Sequence, residues 1–292
     1  MSQYFTFLKD NNIDIFYNIY SSYMSEELFD TISYDNFINK IKSLKINSET
    51  SFYMIDNDIP IGFLLSTTKK KSSYISSIIV LKEFRSKGYG QILLQKGISL
   101  LLENGCNNAI LEVLQDNTNA VNFYKKEGFL ITNELLNLRN ESSSFYKKNT
   151  LSDYNILLKN NFSFSILYNN FKKSKNIPWH NNLDILLWKI KNEENNLFII
   201  EKKNNICGYV LTLIKDNLTE IVDIGLYDYE YDNLSYFLSK IIYYSENDLI
   251  KINNKKIVYV KNLYADNPIV DYFIKNGFYI DIKQYEMRKK LL

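Results

Sequence analysis

A mixed α/β fold written twice is what this sequence predicts, and three observations predict it. Strand and helix patterns run through the first half in the order strand, two helices, three strands, helix, strand, helix, strand. Short segments of that half return in the second, roughly half a chain further on. Between one strand and one helix stands Arg85-Ser86-Lys87-Gly88-Tyr89-Gly90, a turn with the composition of an anion site.

The elements follow in order. Tyr4 to Leu8 reads as a first strand, and Ile13 to Met24 as a helix with Ile15, Ile19 and Tyr23 spaced along one face. Tyr34 to Leu44 repeats that spacing. Ser51 to Ile55, a polar turn at Asp56-Asn57-Asp58, and Ile61 to Leu65 read as a β-hairpin, followed by a strand that ends at Val80. The turn at 85–90 then leads into a helical run from Gln91. Asn104-Gly105 closes that helix, and Ala109-Ile110-Leu111-Glu112-Val113 is the next strand.

A turn of this kind binds anions because the first N–H groups of a helix have no intrahelical acceptor and the positive end of the helix dipole adds to them. Glycines let a pyrophosphate approach the backbone, and Arg85 would supply a charged fork. The spacing Arg85-x-x-Gly88-x-Gly90 lacks the long gap and the Gly-Lys-Ser/Thr ending of a nucleotide-triphosphate loop, and it lacks the three glycines of a dinucleotide fingerprint. After the strand that carries Glu112 comes Asn117-Thr118-Asn119-Ala120-Val121-Asn122-Phe123-Tyr124-Lys125-Lys126-Glu127-Gly128-Phe129.

Taken together, these segments resemble the GNAT superfamily of N-acyltransferases. The turn is similar to its acyl-CoA pyrophosphate loop, Arg/Gln-x-x-Gly-x-Gly/Ala, and 117–129 is similar to its Asn-x-x-Ala-x-x-Phe/Leu-Tyr-x-x-x-Gly-Phe segment. Lys82 replaces the family's frequent proline and Ser86 its frequent glycine. The resemblance implies a mixed, mostly antiparallel central sheet with helices on both faces. It also implies that the strand ending at Val80 and the strand of Glu112 splay apart around a pantetheine arm.

The same resemblance assigns roles. Acetyl-CoA is the implied co-substrate, bound by Ile79, Val80, Arg85, Ser86, Lys87, Gly88, Tyr89, Gly90, Asn117, Ala120 and Tyr124, with a backbone N–H near Val80 facing the thioester oxygen. Strand alternation puts the Glu112 carboxylate opposite its apolar neighbours, where a base for the amine is needed. In the family's protein-amino-terminus acetyltransferases a Leu-Glu-Val strand carries that base and a tyrosine twelve positions later is the acid, which here is Tyr124. A solvated strand residue and a packing tyrosine are the plainer alternatives. The implied function is transfer of an acetyl group to a primary amine, small molecule or peptide, whose identity stays open. A non-catalytic acyl-CoA-binding sensor or interaction protein is the alternative.

The repeat divides the chain into an expected catalytic domain, 1–148, and a degenerate GNAT-like domain, 149–292. Tyr4 to Lys9 is echoed by Tyr154 to Lys159, Lys40-Ile41-Lys42 by Lys189-Ile190-Lys191, Ile61-Gly62-Phe63 by Cys207-Gly208-Tyr209, and Gly128-Phe129 by Gly277-Phe278. An unrelated α/β domain is the other reading of the second half. Opposite Val80 to Gly90 stands Leu226 to Tyr236, without arginine or glycine and with three acidic residues that would repel a pyrophosphate. Phe273 takes the place of Tyr124, and Lys261 or Asn262 that of Glu112.

Composition removes other classes. The net charge is only +2 with basic residues dispersed, which argues against a nucleic-acid partner. Only three of the 35 basic residues are arginines, and one of them stands at the motif position. Lys69-Lys70-Lys71 reads as a solvated turn, with steering of an anionic ligand as the alternative. Cys106 and Cys207 form neither a disulfide framework nor a metal spacing and read as small buried apolar residues, so no metal is expected. A lone His180 gives a histidine-based hydrolase no support. No apolar run reaches the length of a membrane span and no leader pattern opens the chain, which leads to the expectation of a cytoplasmic protein, monomeric with pseudo-dimeric tandem domains or weakly homodimeric.

Overall fold

The computed structural model describes residues 3–27, 31–141, 153–159, 163–172, 177–215, 218–247 and 257–291. They form two compact units, one of Met1–Thr132 with Tyr285–Leu292 and one of Asn133–Gln284. The expected boundary at 148/149 lies outside the described residues. The units part instead at 132/133 and 284/285, within two strands, so each half of the sequence hands its last strand segment to the unit built by the other half.

The first unit runs β1 (Gln3–Phe7), α1 (Ile13–Glu27), α2 (Tyr34–Ser43), β2 (Phe52–Asp56), β3 (Ile59–Lys69), β4 (Ser72–Val80), α3 (Tyr89–Glu103), β5 (Asn108–Leu114), α4 (Thr118–Lys126) and the start of β6 (Leu130–Asn140). Its sheet order is β1-β2-β3-β4-β5, with the end of the chain's last strand beside β5. Neighbours from β1 to β4 are antiparallel and β4 is parallel to β5. Asn57 and Asp58, with φ of 50° and 64°, make the left-handed two-residue turn that matches strand twist between β2 and β3. Lys69 to Lys71 is the exposed turn between β3 and β4.

Alternation explains the helices on both faces. Phe52 and Met54 of β2 enter a core with Leu93 and Leu94 of α3, whereas Tyr53 and Ile55 enter another with Phe16 of α1 and Phe37 of α2. A strand buried on both sides has no polar face to show, and β2 is buried throughout.

The second unit repeats this plan with β7 (Tyr154–Leu158), α5 (Phe164–Phe171), α6 (Leu183–Asn192), β8 (Asn195–Lys202), β9 (Asn205–Lys215), β10 (Leu218–Leu226), α7 (Leu234–Asn247), β11 (Ile257–Tyr264), α8 (Ile269–Lys275) and β12 (Tyr279–Lys290). Its order is β7-β8-β9-β10-β11-β6, with β10 parallel to β11. The order matches that of the first unit strand for strand. Gly128 and Gly277 close α4 and α8 with the same φ of 83°, a left-handed value open to glycine at little cost. Tyr124 meets Phe129 edge-on, and Phe273 meets Phe278 in the same way. The two halves are one fold repeated.

Candidate active site

In the first unit the cleft is made by strands that stop pairing. β4 and β5 are joined only at Ser72–Asn108, Ser73–Ala109 and Tyr74–Ile110, and beyond them the strands part. Leu81 N donates to Ile61 O, so the neighbouring pair, Gly62 and Val80, is of the antiparallel kind whose own N–H and C=O groups point away from each other. The Val80 N–H therefore faces the gap. Its carbonyl accepts from Arg85 Nε at 2.9 Å. Arg85 thus braces the start of the loop against the strand end, a task its motif position did not suggest.

Past Arg85 the backbone turns left-handed at Ser86, φ 60°, and at Gly88, φ 87°, where α3 is capped. A Cβ built at Gly88 meets no atom within 4 Å, so open space lies before the loop. The N–H groups of Ser86 to Gly90 donate to no backbone carbonyl of the described residues. An exposed helix start with free amides and room beside its glycine fits a phosphate group. Val80, Tyr89, Ala120 and Tyr124 all pack on one core cluster, which brings the loop and α4 to the same cleft. Gln91 Nε2 donates to Glu127 Oε1 at 2.7 Å and ties the two helices.

Glu112 stands two residues beyond the last β4–β5 pair. Leu111 and Val113 enter the core, and the carboxylate takes the other face. There the buried Tyr74 of β4 hydrogen-bonds it. Burial first, and then the nearby Glu286 carboxylate, push Glu112 up to about 8, against the opposing pull of Tyr74 and of Lys40 from α2. Lys40 Nζ reaches Tyr20 Oη at 3.0 Å and Ser77 Oγ at 3.5 Å. Burial also raises the Tyr124 phenol, and Tyr23 of α1 adds to this.

Asn117 caps α4, its Oδ1 accepting from Ala120 N at 3.1 Å, which leaves the amide Nδ2 for any ligand. Sequence reasoning missed Tyr20, Tyr23, Lys40, Tyr74 and Glu286. Four of these lie on elements whose apolar spacing was read, but a polar residue on such a face carries no signal until its neighbours are known. Glu286 belongs to a strand that the repeat assigns to the other unit.

The second unit keeps the splay and changes its contents. β10 and β11 pair only from Leu218–Ile257 to Ile221–Val260. At the place of the phosphate loop, Glu230 is fully buried and accepts from Tyr154 Oη at 2.6 Å and Asn233 Nδ2 at 3.0 Å, with Lys202 Nζ at 3.5 Å. That position already holds a carboxyl group with its own partners. Of the two residues opposite Glu112, Lys261 pairs with Glu220 at 2.8 Å and Asn262 donates its N–H to Asn137. A cavity of about 590 Å³ opens beside Tyr227, Asn262 and Tyr264, and of its two carboxylates, Asp223 and Asp266, the first is already held by Lys172 and Tyr209. Both cysteines are buried, and burial raises the Cys207 thiol to about 11.

Residues 13–129 match the acetyltransferase (GNAT) family. The first unit therefore carries a segment that matches the GNAT family. The chain is 32% identical over 88 residues to N-alpha-acetyltransferase 30 of Schizosaccharomyces pombe, covering 28% of this chain and 57% of that protein. It is 35% identical over 63 residues to thialysine N-epsilon-acetyltransferase of Mus musculus, covering 22% and 37%. The chain spans about half or less of the length of such curated relatives. Over its whole length it shares the fold of a tandem GNAT protein from the clavulanic acid biosynthesis pathway, with a TM-score of 0.72 at 9% identity and 100% and 99% of the two chains covered. A GCN5-related N-acetyltransferase from Sphaerobacter thermophilus gives 0.70 at 9% identity, covering 99% and 96%. The chain is thus two tandem GNAT-like units. No described helix is long and apolar enough to cross a membrane.

Proposed function

We propose that this protein is an acetyl-CoA-dependent N-acetyltransferase that moves an acetyl group to a primary amine by direct transfer in its first unit, in the cytosol, where unpaired buried cysteines are at home. What supports the reading is an open helix start at Ser86 to Gly90 and an outward Val80 N–H at the gap between β4 and β5, with Glu112 and Tyr124 both near Tyr74. The loop amides hold the pyrophosphate, while Asn117 and Ala120 line the arm; Ile79 turns into the core with Phe16 and Phe63. The thioester brings the acetyl group.

Glu112 takes the proton of the attacking amine. An affinity for protons centred at about 8 brings it closer to an alkylammonium than an ordinary carboxylate is. The Val80 N–H steadies the oxygen of the reacting carbonyl. Tyr124, kept protonated by burial, gives its proton to the departing sulfur. The proton lost from nitrogen is replaced at sulfur, and charge balances.

The test is thiol release from acetyl-CoA across a panel of peptide amino termini, lysine, polyamines, aminoglycosides and amino acids. Amine-dependent release supports the reading. Acetyl-CoA binding without release on any amine favours an acyl-CoA-binding sensor.

A further inference from the structure

The first unit contains an acidic side chain that its own half of the sequence does not supply. Glu286 is 1% exposed and lies on the strand segment that the chain end contributes beside β5. Alternation fixes its side. Met287 is buried in the core with Leu111, Val113 and Phe129, so Glu286 and Arg288 share the opposite face of the sheet with Glu112 and Tyr74. Oε1 of Glu286 accepts from Thr132 Oγ1 at 3.1 Å and from Arg288 Nε at 2.9 Å, with Arg288 Nη2 also at 2.9 Å. A carboxylate so buried persists as an anion only with partners of this kind.

Resting on the reading of Glu112 as the base, we propose that Glu286 is a positioning residue whose negative charge strengthens Glu112 as a proton acceptor. Two carboxylates sharing one buried face disfavour each other's charge, and Arg288 is the cation beside Glu286. The groups around Glu112 come from four elements: Tyr74 of β4, Lys40 of α2, Glu286 with Arg288 on the last strand, and Tyr124 of α4, which lies near Tyr74. Tyr74 and Lys40 favour the carboxylate form, and Glu286 opposes them. Catalysis in the first unit then depends on the last eight residues of the chain.

The experiment is the pH dependence of kcat/KM in the full-length chain. In E286Q the acidic limb moves to lower pH by about one unit and the plateau rate falls, with acetyl-CoA affinity unchanged. E286D, which keeps the charge, stays near the parent profile. R288Q removes the cation beside the Glu286 carboxylate, weakens its negative charge and moves the limb in the same direction as E286Q, whereas R288K, which keeps the cation, stays near the parent profile. The Arg288 side chain is 37% exposed, so R288Q tests the idea even if E286Q folds poorly. A merely structural role would not move the limb in E286Q and R288Q while sparing the charge-keeping E286D and R288K. A limb abolished by E112Q but unmoved by both E286Q and R288Q overturns this proposal alone. A limb that survives in E112Q overturns the base assignment and this proposal with it.

Discussion

Glu112 and Tyr124 are both pushed toward their protonated forms by burial, yet the proposed chemistry asks opposite things of them. For Tyr124 the push is uniform help, because an acid must hold its proton until sulfur needs it. Tyr124→Phe keeps the ring contacts with Phe123 and Phe129 and removes only the donor. We expect kcat to fall by about 10²–10⁴-fold, with KM for acetyl-CoA little changed, in steady-state kinetics. For Glu112 the push has a consequence for stability. Its folded-state affinity for a proton, centred at about 8, exceeds that of an unfolded glutamate, so the folded chain binds more protons between about pH 4.5 and 8 and loses stability as pH rises through that window. Glu112→Gln removes the loss. Thermal melts should show the variant more stable than the parent at pH 8.5 and nearly equal at pH 4.5. The position of Glu112 was legible from alternation between Leu111 and Val113. Its surroundings were not, because Tyr74 and Lys40 reach it through folding of distant strands and helices.

At the level of elements, the loop before α3 depends on a backbone that turns left-handed and leaves space in front of itself. Gly88→Asp puts a strained side chain and a negative charge there. We expect acetyl-CoA binding to weaken by more than ~2 kcal/mol, about the worth of one charge-assisted hydrogen bond, while circular dichroism stays that of the parent. Loop and α4 were readable because glycine spacing and a capping asparagine are local features. The start of the splay was not a matter of periodicity. It follows from where β4 and β5 cease to pair, which only the assembled sheet reveals. The ends of β6 and β12 show the deeper limit: a duplicated sequence offers two equivalent places for its last strand, and the alternation of Tyr285, Glu286, Met287 and Arg288 suits either.

For the whole molecule, that ambiguity has energetic content. Met287 is fully buried in the core of the first unit, although it lies at the far end of the chain. Met287→Ala should destabilise that unit by about 2–5 kcal/mol, read by urea unfolding followed through loss of acetyl-CoA binding. The second unit keeps every strand of the plan but has a buried glutamate where a phosphate would lie and Phe273 where the acid would be. One fold is thus present twice, and the proposed chemistry once. Calorimetric titration of the full-length chain with acetyl-CoA tests this most directly: the account predicts one site per chain, lost in Gly88→Asp, and a stoichiometry of two, or a site that persists in Gly88→Asp, would contradict it.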